Sequence, residues 1–320
     1  MRIKSFAAAI GVAAFVWGCS GMSEDVAKPV TMERLDLAVE DYSRGVPVSA
    51  DHEAAVRVLG RAFGADSASD FLEAYAGSRA VKMFMPDIRS RLHGLDSVES
   101  ELGAVCRGMG EWLPDVAFPA RVYGVVIPYN QSVILADTVA FVGLNHYLGA
   151  DYPGYEAFDL YRRVLKEPDR IVPDLTEAIV RSAYPYEDGL DATVLSRMIY
   201  EGAIVNAMIK SDPQLTLSRA LGWSGEQLRW AEVNERRSWQ QLIASDLLFS
   251  TNPADAARLV NPAPATAVIN PSAPGQLGRY IGYRIVEKWL ESHHGASPET
   301  LLKPIFYNSR DTLIESAYAP

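Results

Sequence analysis

Residues 196–209, "SRMIYEGAIVNAMI", place one carboxylate, Glu201, inside an otherwise apolar helical pattern. Because side chains three or four residues apart share one face of a helix, Glu201 should point into the protein interior. Its apolar neighbours at that spacing are Val194, Met198, Ile204, Val205 and Met208. A buried charge is costly unless it is paired or binds a metal ion. The sequence therefore predicts a specific partner for Glu201.

The first candidate partner is an arginine. Arg197 lies four residues before Glu201 on the same predicted helix, although arginine before glutamate is the weaker orientation for such a pair. Arg279 and Arg284 lie on a later predicted helix, residues 275–292, and would satisfy the buried carboxylate across a helix contact. A structural ion pair of Glu201 with one of these three arginines is the favoured interpretation.

The second candidate partner is a metal ion. Glu201, His146 and Asp174 are the residues that would bind it, and a set rich in carboxylates favours a harder ion than zinc. The sequence contains no His-Glu-x-x-His, so the two imidazoles of a helical zinc site are missing. For His146, a hydrogen-bonded structural role is favoured over metal binding. We expect neither a resident metal nor a catalytic residue.

The N-terminus predicts export from the cytoplasm. Arg2 and Lys4 precede an apolar run over residues 6–17, which is too short for a permanent membrane span and typical of a signal-peptide core. We expect residues 1–18 to form a lipoprotein signal peptide.

The segment that follows this run predicts a lipid anchor. Residues 16–19, Val-Trp-Gly-Cys, resemble a bacterial lipobox, although Trp17 stands where a small residue is usual. Cys19 would then carry a diacylglycerol and an N-acyl lipid such as palmitate, and residues 19–30 would form a flexible tether from the membrane. Ordinary secretion with an unmodified Cys19 is the alternative. We expect no other cofactor.

Charge and hydrophobic patterning indicate the fold class. The net charge of −10 and the lack of a Lys- and Arg-rich stripe argue against nucleic-acid binding. Short β-branched runs between residues 120 and 144 predict about three antiparallel strands, and helical patterns cover much of the rest. We expect one α+β domain over residues 31–320, mostly helical with a small antiparallel sheet. The predicted helices after the sheet are 155–166, 171–183, 191–210, 224–247, 275–292 and 298–303.

A pair of glycines and a long connecting segment predict two further structural features. Gly278 and Gly282 stand four residues apart on a predicted helix, which favours close backbone packing against a neighbour. The segment 250–275, rich in Pro and Asn, would connect two helices and either close over a ligand pocket or pack as irregular structure.

Several segments occur in an order and at a spacing that resemble the gliding motility-associated lipoprotein GldB family. They are "LNHYLGADYPGYEAF", "IVPDLTEAIV", "LSRMIYEGAIVNAMIK", "GWSGEQLRWAEVNERRSWQQLIASDLLFSTN", "RLVNPAPATAV" and "APGQLGRYIGYRIVEKWL". The resemblance covers nearly the whole chain after the lipobox, and none of its segments is a catalytic motif. It implies a lipid-anchored protein of the cell envelope, on the periplasmic face or the cell surface. The expected partners are the bilayer and envelope proteins of a motility or secretion apparatus.

A second resemblance concerns Glu201 itself. "IYEGAIV" followed by "GRYIGYRIV" is similar to the later helices of zincin-type metallopeptidases, in which the glutamate of a Glu-Gly pair is the third zinc ligand. Glu201-Gly202 matches that pair, but "IVPDLTEAIVRSA", where the histidines should lie, has none. The resemblance implies a degenerate zincin-like fold without its metal centre.

These observations leave three hypotheses for function. The favoured one is a non-catalytic envelope lipoprotein that assists or scaffolds a motility- or secretion-associated complex. The second is a metal-dependent hydrolase of zincin-like ancestry that uses Glu201. The third is a passive ligand-binding protein, with a pocket beside the 250–275 segment.

Overall fold

The computed structural model describes residues 30–128, 130–136, 138–189 and 192–320. The predicted signal peptide and the lipidation residue Cys19 lie outside the described residues. Within them the chain forms helices and strands in the following order: β1 (Met32–Glu33), α1 (Leu35–Tyr42), α2 (Ala50–Ala62), α3 (Ala68–Gly77), α4 (Arg79–Arg91), α5 (Asp96–Trp112), β2 (Arg121–Val125), β3 (Val133–Ala136), β4 (Val139–Gly143), α6 (Leu160–Arg163), α7 (Ile171–Ala183), α8 (Val194–Ser211), α9 (Leu217–Leu221), α10 (Gly225–Val233), α11 (Glu235–Ala244), α12 (Pro253–Val260), α13 (Leu277–Leu290), α14 (Pro298–Leu301), α15 (Pro304–Tyr307) and α16 (Arg310–Ser316).

The small sheet is mixed, which corrects the prediction of an antiparallel set. Its strand order is β1-β2-β4-β3, and β2 pairs in parallel with both β1 and β4. Only β3 and β4 are antiparallel neighbours. The β-branched runs located the strands, but a strand pattern carries no information about which neighbour a strand chooses. The α+β class with a small sheet is confirmed.

Some of the predicted helices have different bounds in the structure. Helix α7 spans the predicted 171–183, α13 lies within its predicted range, and α8 begins three residues after the predicted start and ends one residue beyond the predicted end. The predicted helix 224–247 is two helices that meet at Asn234, and the predicted 155–166 contains only the short α6. The 250–275 segment, predicted to lack regular structure, begins with α12, whose N-cap Asn252 accepts a hydrogen bond from the backbone N–H of Ala254.

Helix α8 lies at the centre of the molecule. Thr193 caps its N-terminus in a capping box with Ser196, and most of its side chains are buried on every side. Helices α5, α7, α12 and α13 all pack against it, with α13 making the largest contact. A helix that is apolar all round requires such a surrounding layer. Among the described helices none is long and apolar enough to span a membrane.

Helices α8 and α13 touch backbone to backbone at two glycines. A Cβ at Gly282 would overlap the carbonyl oxygen of Met198, and a Cβ at Gly202 would overlap the backbone of Gly282 and Tyr283. Gly278, one turn earlier on α13, lies against the carbonyl oxygen of Leu259 at the end of α12. The four-residue glycine spacing therefore brings α13 close to two neighbours, as the sequence predicted.

A carboxyl pair lies where α5 meets the end of α8. The Asp212 side chain is buried, and its Oδ1 accepts a hydrogen bond of 2.9 Å from the Gln214 N–H. Glu101 on α5 lies beside it and is paired with Arg219 at 2.6 Å. Burial raises the pKa of Asp212 to about 6, and the neighbouring Glu101 carboxyl adds to this rise, while the hydrogen bond from Gln214 opposes it.

We predict that Gly282→Ala destabilises the protein by about 3 kcal/mol, because two helix backbones must separate to admit the methyl group. Gly110→Ala is the matched control, since Gly110 lies on a helix where an added Cβ meets no atom within 4 Å. The control should change the free energy of unfolding by less than about 1 kcal/mol. Urea denaturation measures both, and equal stability of the two variants would contradict the contact.

We also predict that Asp212→Asn stabilises the protein at pH 7.5. Because the folded state raises the pKa of Asp212, it binds more protons than the unfolded chain, and stability falls as pH rises from about 4 to about 6. Asparagine keeps the Oδ1 acceptor and has no carboxyl group that must ionise in the interior. We therefore expect the free energy of unfolding to increase by on the order of 1 kcal/mol at pH 7.5, and by less toward pH 4.5. Urea denaturation at both pH values measures it, with Asp66→Asn as an exposed control. A gain of the same size at both pH values would contradict the prediction.

Candidate functional site

Five charged side chains from three helices meet around Glu201, and we call them the arginine–glutamate cluster. Helix α7 supplies two of them, α8 supplies two and α13 supplies one. The Glu201 side chain is 3% exposed. The members of the cluster are Glu177, Arg181, Arg197, Glu201 and Arg279.

Glu201 contacts all three guanidinium groups of the cluster. Its Oε1 lies 3.2 Å from Nη1 of Arg181 and 3.0 Å from Nη2 of Arg197. Its Oε2 accepts a hydrogen bond from Nη2 of Arg181 and lies 3.4 Å from Nε of Arg279. Both carboxylate oxygens are therefore bound by protein donors, which replace the water that burial removes.

Glu177 is the second anion of the cluster and bridges two of the same arginines. Its Oε1 accepts hydrogen bonds from Nε and Nη2 of Arg181, at 2.9 and 2.7 Å, and from Nη2 of Arg279, at 3.0 Å. Burial alone would raise the pKa of Glu177, but the charges of Arg279 and Arg181 outweigh it and hold the pKa at about 2. Glu177 is thus ionised at neutral pH and has no proton to donate.

The charges in the cluster do not cancel. Three guanidinium groups face two carboxylates, which leaves one net positive charge within the cluster. Burial opposes the charge on Arg181, but the Glu177 and Glu201 carboxylates raise its pKa above the ordinary value, so it stays protonated. Chemically the cluster can hold helices together and attract an anion.

The other two sequence candidates lie elsewhere and have partners of their own. Asp174 accepts hydrogen bonds from Nη2 of Arg170 at 2.6 Å and from the hydroxyl of Tyr147 at 3.0 Å. Burial raises the pKa of Asp174 despite the attraction of Arg170. Nε2 of His146 is 3.0 Å from the carbonyl oxygen of Pro128, and burial lowers the pKa of His146 to about 4, so the ring is neutral at pH 7.

No metal centre is assembled from these candidates. Across the described ranges, no group of three or more His, Cys, Asp or Glu side chains is arranged to hold a metal ion. Glu201 is surrounded by guanidinium groups, which repel a cation. The donor set around it therefore does not fit a resident metal.

The structure shows which of the three predicted arginines contact Glu201. Arg197 and Arg279 lie against its carboxylate, at the distances given above. Arg284 is wrong as a partner: its Nε lies 3.2 Å from Glu235. Five residues of helix rotate Arg284 by about 140° from Arg279, so the two cannot share one face.

Sequence reasoning missed Arg181 and Glu177 as members of the cluster. Their signal was present, because the two stand four residues apart on the predicted helix 171–183 in the stronger glutamate-before-arginine orientation. What the sequence did not show is that this face of α7 turns toward α8.

A family model described as gliding motility protein GldB, and labelled as a lipoprotein family, matches residues 23–320. The chain belongs to the GldB family. Searches of curated proteins and of solved structures found no match. Membership of the GldB family thus agrees with a gliding motility-associated lipoprotein, while the zincin-like resemblance stays a prediction.

We predict that Glu201→Gln destabilises this GldB-family protein by roughly 3 kcal/mol, because Arg197 would lose its carboxylate partner and the buried Arg279 would share Glu177 alone with Arg181. Glu40→Gln is the matched control, since Glu40 pairs with the exposed Arg44 and Arg89 at the surface and should cost less than about 1 kcal/mol. The measurement is the urea midpoint at pH 7.5. An unchanged midpoint for Glu201→Gln would show that the cluster does not support the fold.

Proposed function

We propose that the protein is a lipid-anchored component of the cell envelope that acts by contact, without catalytic turnover, in a motility- or secretion-associated complex. The observation that carries this proposal is the arginine–glutamate cluster. Its Glu201 lies where the zincin-like resemblance would put a zinc ligand, and both oxygens of its carboxylate are bound by arginines. The family match adds the association with gliding motility.

The remaining candidate groups support a non-catalytic role. His146 is buried, neutral and bonded to a backbone carbonyl, and Glu177 is held ionised by two arginines. Asp174 is occupied by Arg170 and Tyr147. A general acid–base pair needs two titratable groups within reach of one substrate atom, with pKa values near the working pH. These residues do not supply such a pair.

Anchoring through Cys19 accounts for the localisation. In the proposal, cleavage after residue 18 exposes Cys19, which receives the diacylglycerol and the N-acyl chain. Two or more acyl chains give stable membrane attachment, whereas one chain gives only reversible binding. The described part then lies against the bilayer through a tether of about ten residues, within reach of envelope proteins.

We predict that the protein incorporates a clickable palmitate analogue in its native host and that Cys19→Ala abolishes the label. Cys106→Ala is the matched control, because Cys106 is the only other cysteine of the chain and should leave labelling unchanged. In-gel fluorescence of the immunoprecipitated protein measures both variants. Full labelling of Cys19→Ala, or none of the parent, would contradict the anchor.

The non-catalytic role has its own test. Protein purified without chelator is analysed for metal content, and complexes are captured from solubilised envelope at native expression. The proposal expects less than stoichiometric metal and reproducible co-purification of envelope proteins of the motility or secretion apparatus. A stoichiometric metal ion that is lost in Glu201→Gln, together with peptidase activity, would overturn it in favour of a metal-dependent hydrolase.

A further inference from the structure

A cleft of about 440 Å³ lies beside the arginine–glutamate cluster, between the start of α8 and helix α12. We call it the α8–α12 cleft. Its volume is within the range of roughly 300–1,000 Å³ that is usual for small-molecule sites. The backbone N–H of Val194 donates a hydrogen bond of 2.9 Å to the carbonyl oxygen of Ser250, which joins the two walls. Nothing in the mechanism proposed above uses this cleft.

Arg197 connects the cluster to the cleft. It is the member of the cluster that lines the cleft, and its side chain is 31% exposed while its Nη2 binds Glu201. Its Nε is buried and has no hydrogen-bond partner among the residues that the structure describes. Because the cluster carries one net positive charge, a ligand with a single negative charge at Arg197 would neutralise the cluster.

A second donor lies on the opposite wall of the cleft. Asn252 uses its Oδ1 to cap α12, by accepting the Ala254 N–H at 3.1 Å, so its amide NH₂ is the group left to bind a ligand. A guanidinium and an amide NH₂ that line one cleft are both donors, and a carboxylate is an acceptor at both oxygens. The cleft thus has the donors that a carboxylate requires.

The other lining residues indicate what is attached to that carboxylate. One face of α12 supplies an apolar wall, which offers an apolar surface to a ligand and is formed by Pro253, Ala256, Ala257 and Val260. Asn261 at the end of this wall offers an amide that can pair with a peptide group. Asp188, the one anion among the described lining residues, would accept an N–H or an ammonium group.

Two other classes of ligand fit these residues less well. A sugar requires a free aromatic face, but the ring of Tyr186 is covered by the Arg197 guanidinium at 4.5 Å and by the rings of Tyr200 and Tyr307 at 5.0 and 5.3 Å. A phosphate dianion would have one arginine to bind and the charge of Asp188 to repel it. A carboxylate carries a single charge, so Asp188 repels it less than it repels a dianion, and one arginine is enough to balance it.

We propose that the α8–α12 cleft binds the C-terminal carboxylate of a short apolar peptide, with the carboxylate on Arg197 and Asn252 and the peptide groups along α12. This function goes beyond the envelope role proposed above and does not depend on the lipid anchor.

The test uses the full-length protein in detergent and titrates it with N-acetyl-dialanine by calorimetry. We expect saturable binding of the acid, and binding at least tenfold weaker for the C-terminal amide of the same peptide, which lacks the charge. Equal affinity for acid and amide, or no saturable binding of the acid, would overturn the proposal. So would displacement of the acid by inorganic phosphate at lower concentration than the peptide itself requires.

One variant separates binding from folding. Asn252→Asp keeps the N-cap of α12, because aspartate caps as well as asparagine does, and it replaces the donor with a negative charge. We expect at least tenfold weaker binding of N-acetyl-dialanine. Ser67→Asp makes the same kind of change at the N-cap of α3, outside the cleft, and should bind like the parent. Unweakened binding by Asn252→Asp would overturn the proposal.

Asn261→Ala provides a second variant that does not involve an N-cap. Asn261 is exposed, so its truncation should leave the melting temperature unchanged while removing one amide from the cleft. We expect binding of N-acetyl-dialanine to be about fivefold weaker, because one hydrogen bond is lost. Undiminished affinity in this variant would show that the peptide does not run along α12 and would overturn that placement.

Discussion

The backbone contact between α8 and α13 at Gly202 and Gly282 is the constraint on which the rest of the structure depends. Neither position has room for a Cβ, so the two helices lie closer than side chains would permit. Glu201 immediately precedes Gly202, and Arg279 lies one turn before Gly282. The contact that requires two glycines therefore also brings a guanidinium to a carboxylate that the apolar pattern of α8 buries.

The cluster formed in this way stabilises the fold chiefly by avoiding a larger cost. Replacing a buried ion network with apolar side chains is often neutral, but removing one partner leaves a charge unpaired in the interior. The arginines at Glu201 come from α7, α8 and α13, so the carboxylate fixes the relative positions of three helices. Because arginines bind both oxygens of the Glu201 carboxylate, they also keep a metal cation away from it. The packing of the core is in this way linked to the proposed role without turnover.

The surplus positive charge connects this core to the surface. Arg197 binds Glu201 on one side and lines the α8–α12 cleft on the other. A charge network that is balanced except for one guanidinium at a cleft is suited to bind an anion, whereas a fully neutral network would not be. The peptide binding that we propose uses this guanidinium and needs no catalytic group.

The sequence by itself determined the buried position of Glu201, the helix 171–183, the pairing with Arg197 as one option and the use of glycine for close packing. These features follow from the 3.6-residue period and from side-chain size, which act locally along the chain. The N-terminal lipobox is likewise read from consecutive residues, and it remains a prediction outside the described residues.

The tertiary structure alone decided which faces meet. It selected Arg279 over Arg284, added Arg181 and Glu177, and paired β2 in parallel with its neighbours. Helical periodicity shows which side chains share a face, but two faces are matched only when the whole core packs and the cost of every buried charge is minimised together. For that reason the sequence predicted that Glu201 needs a partner, and the fold determined that it has three.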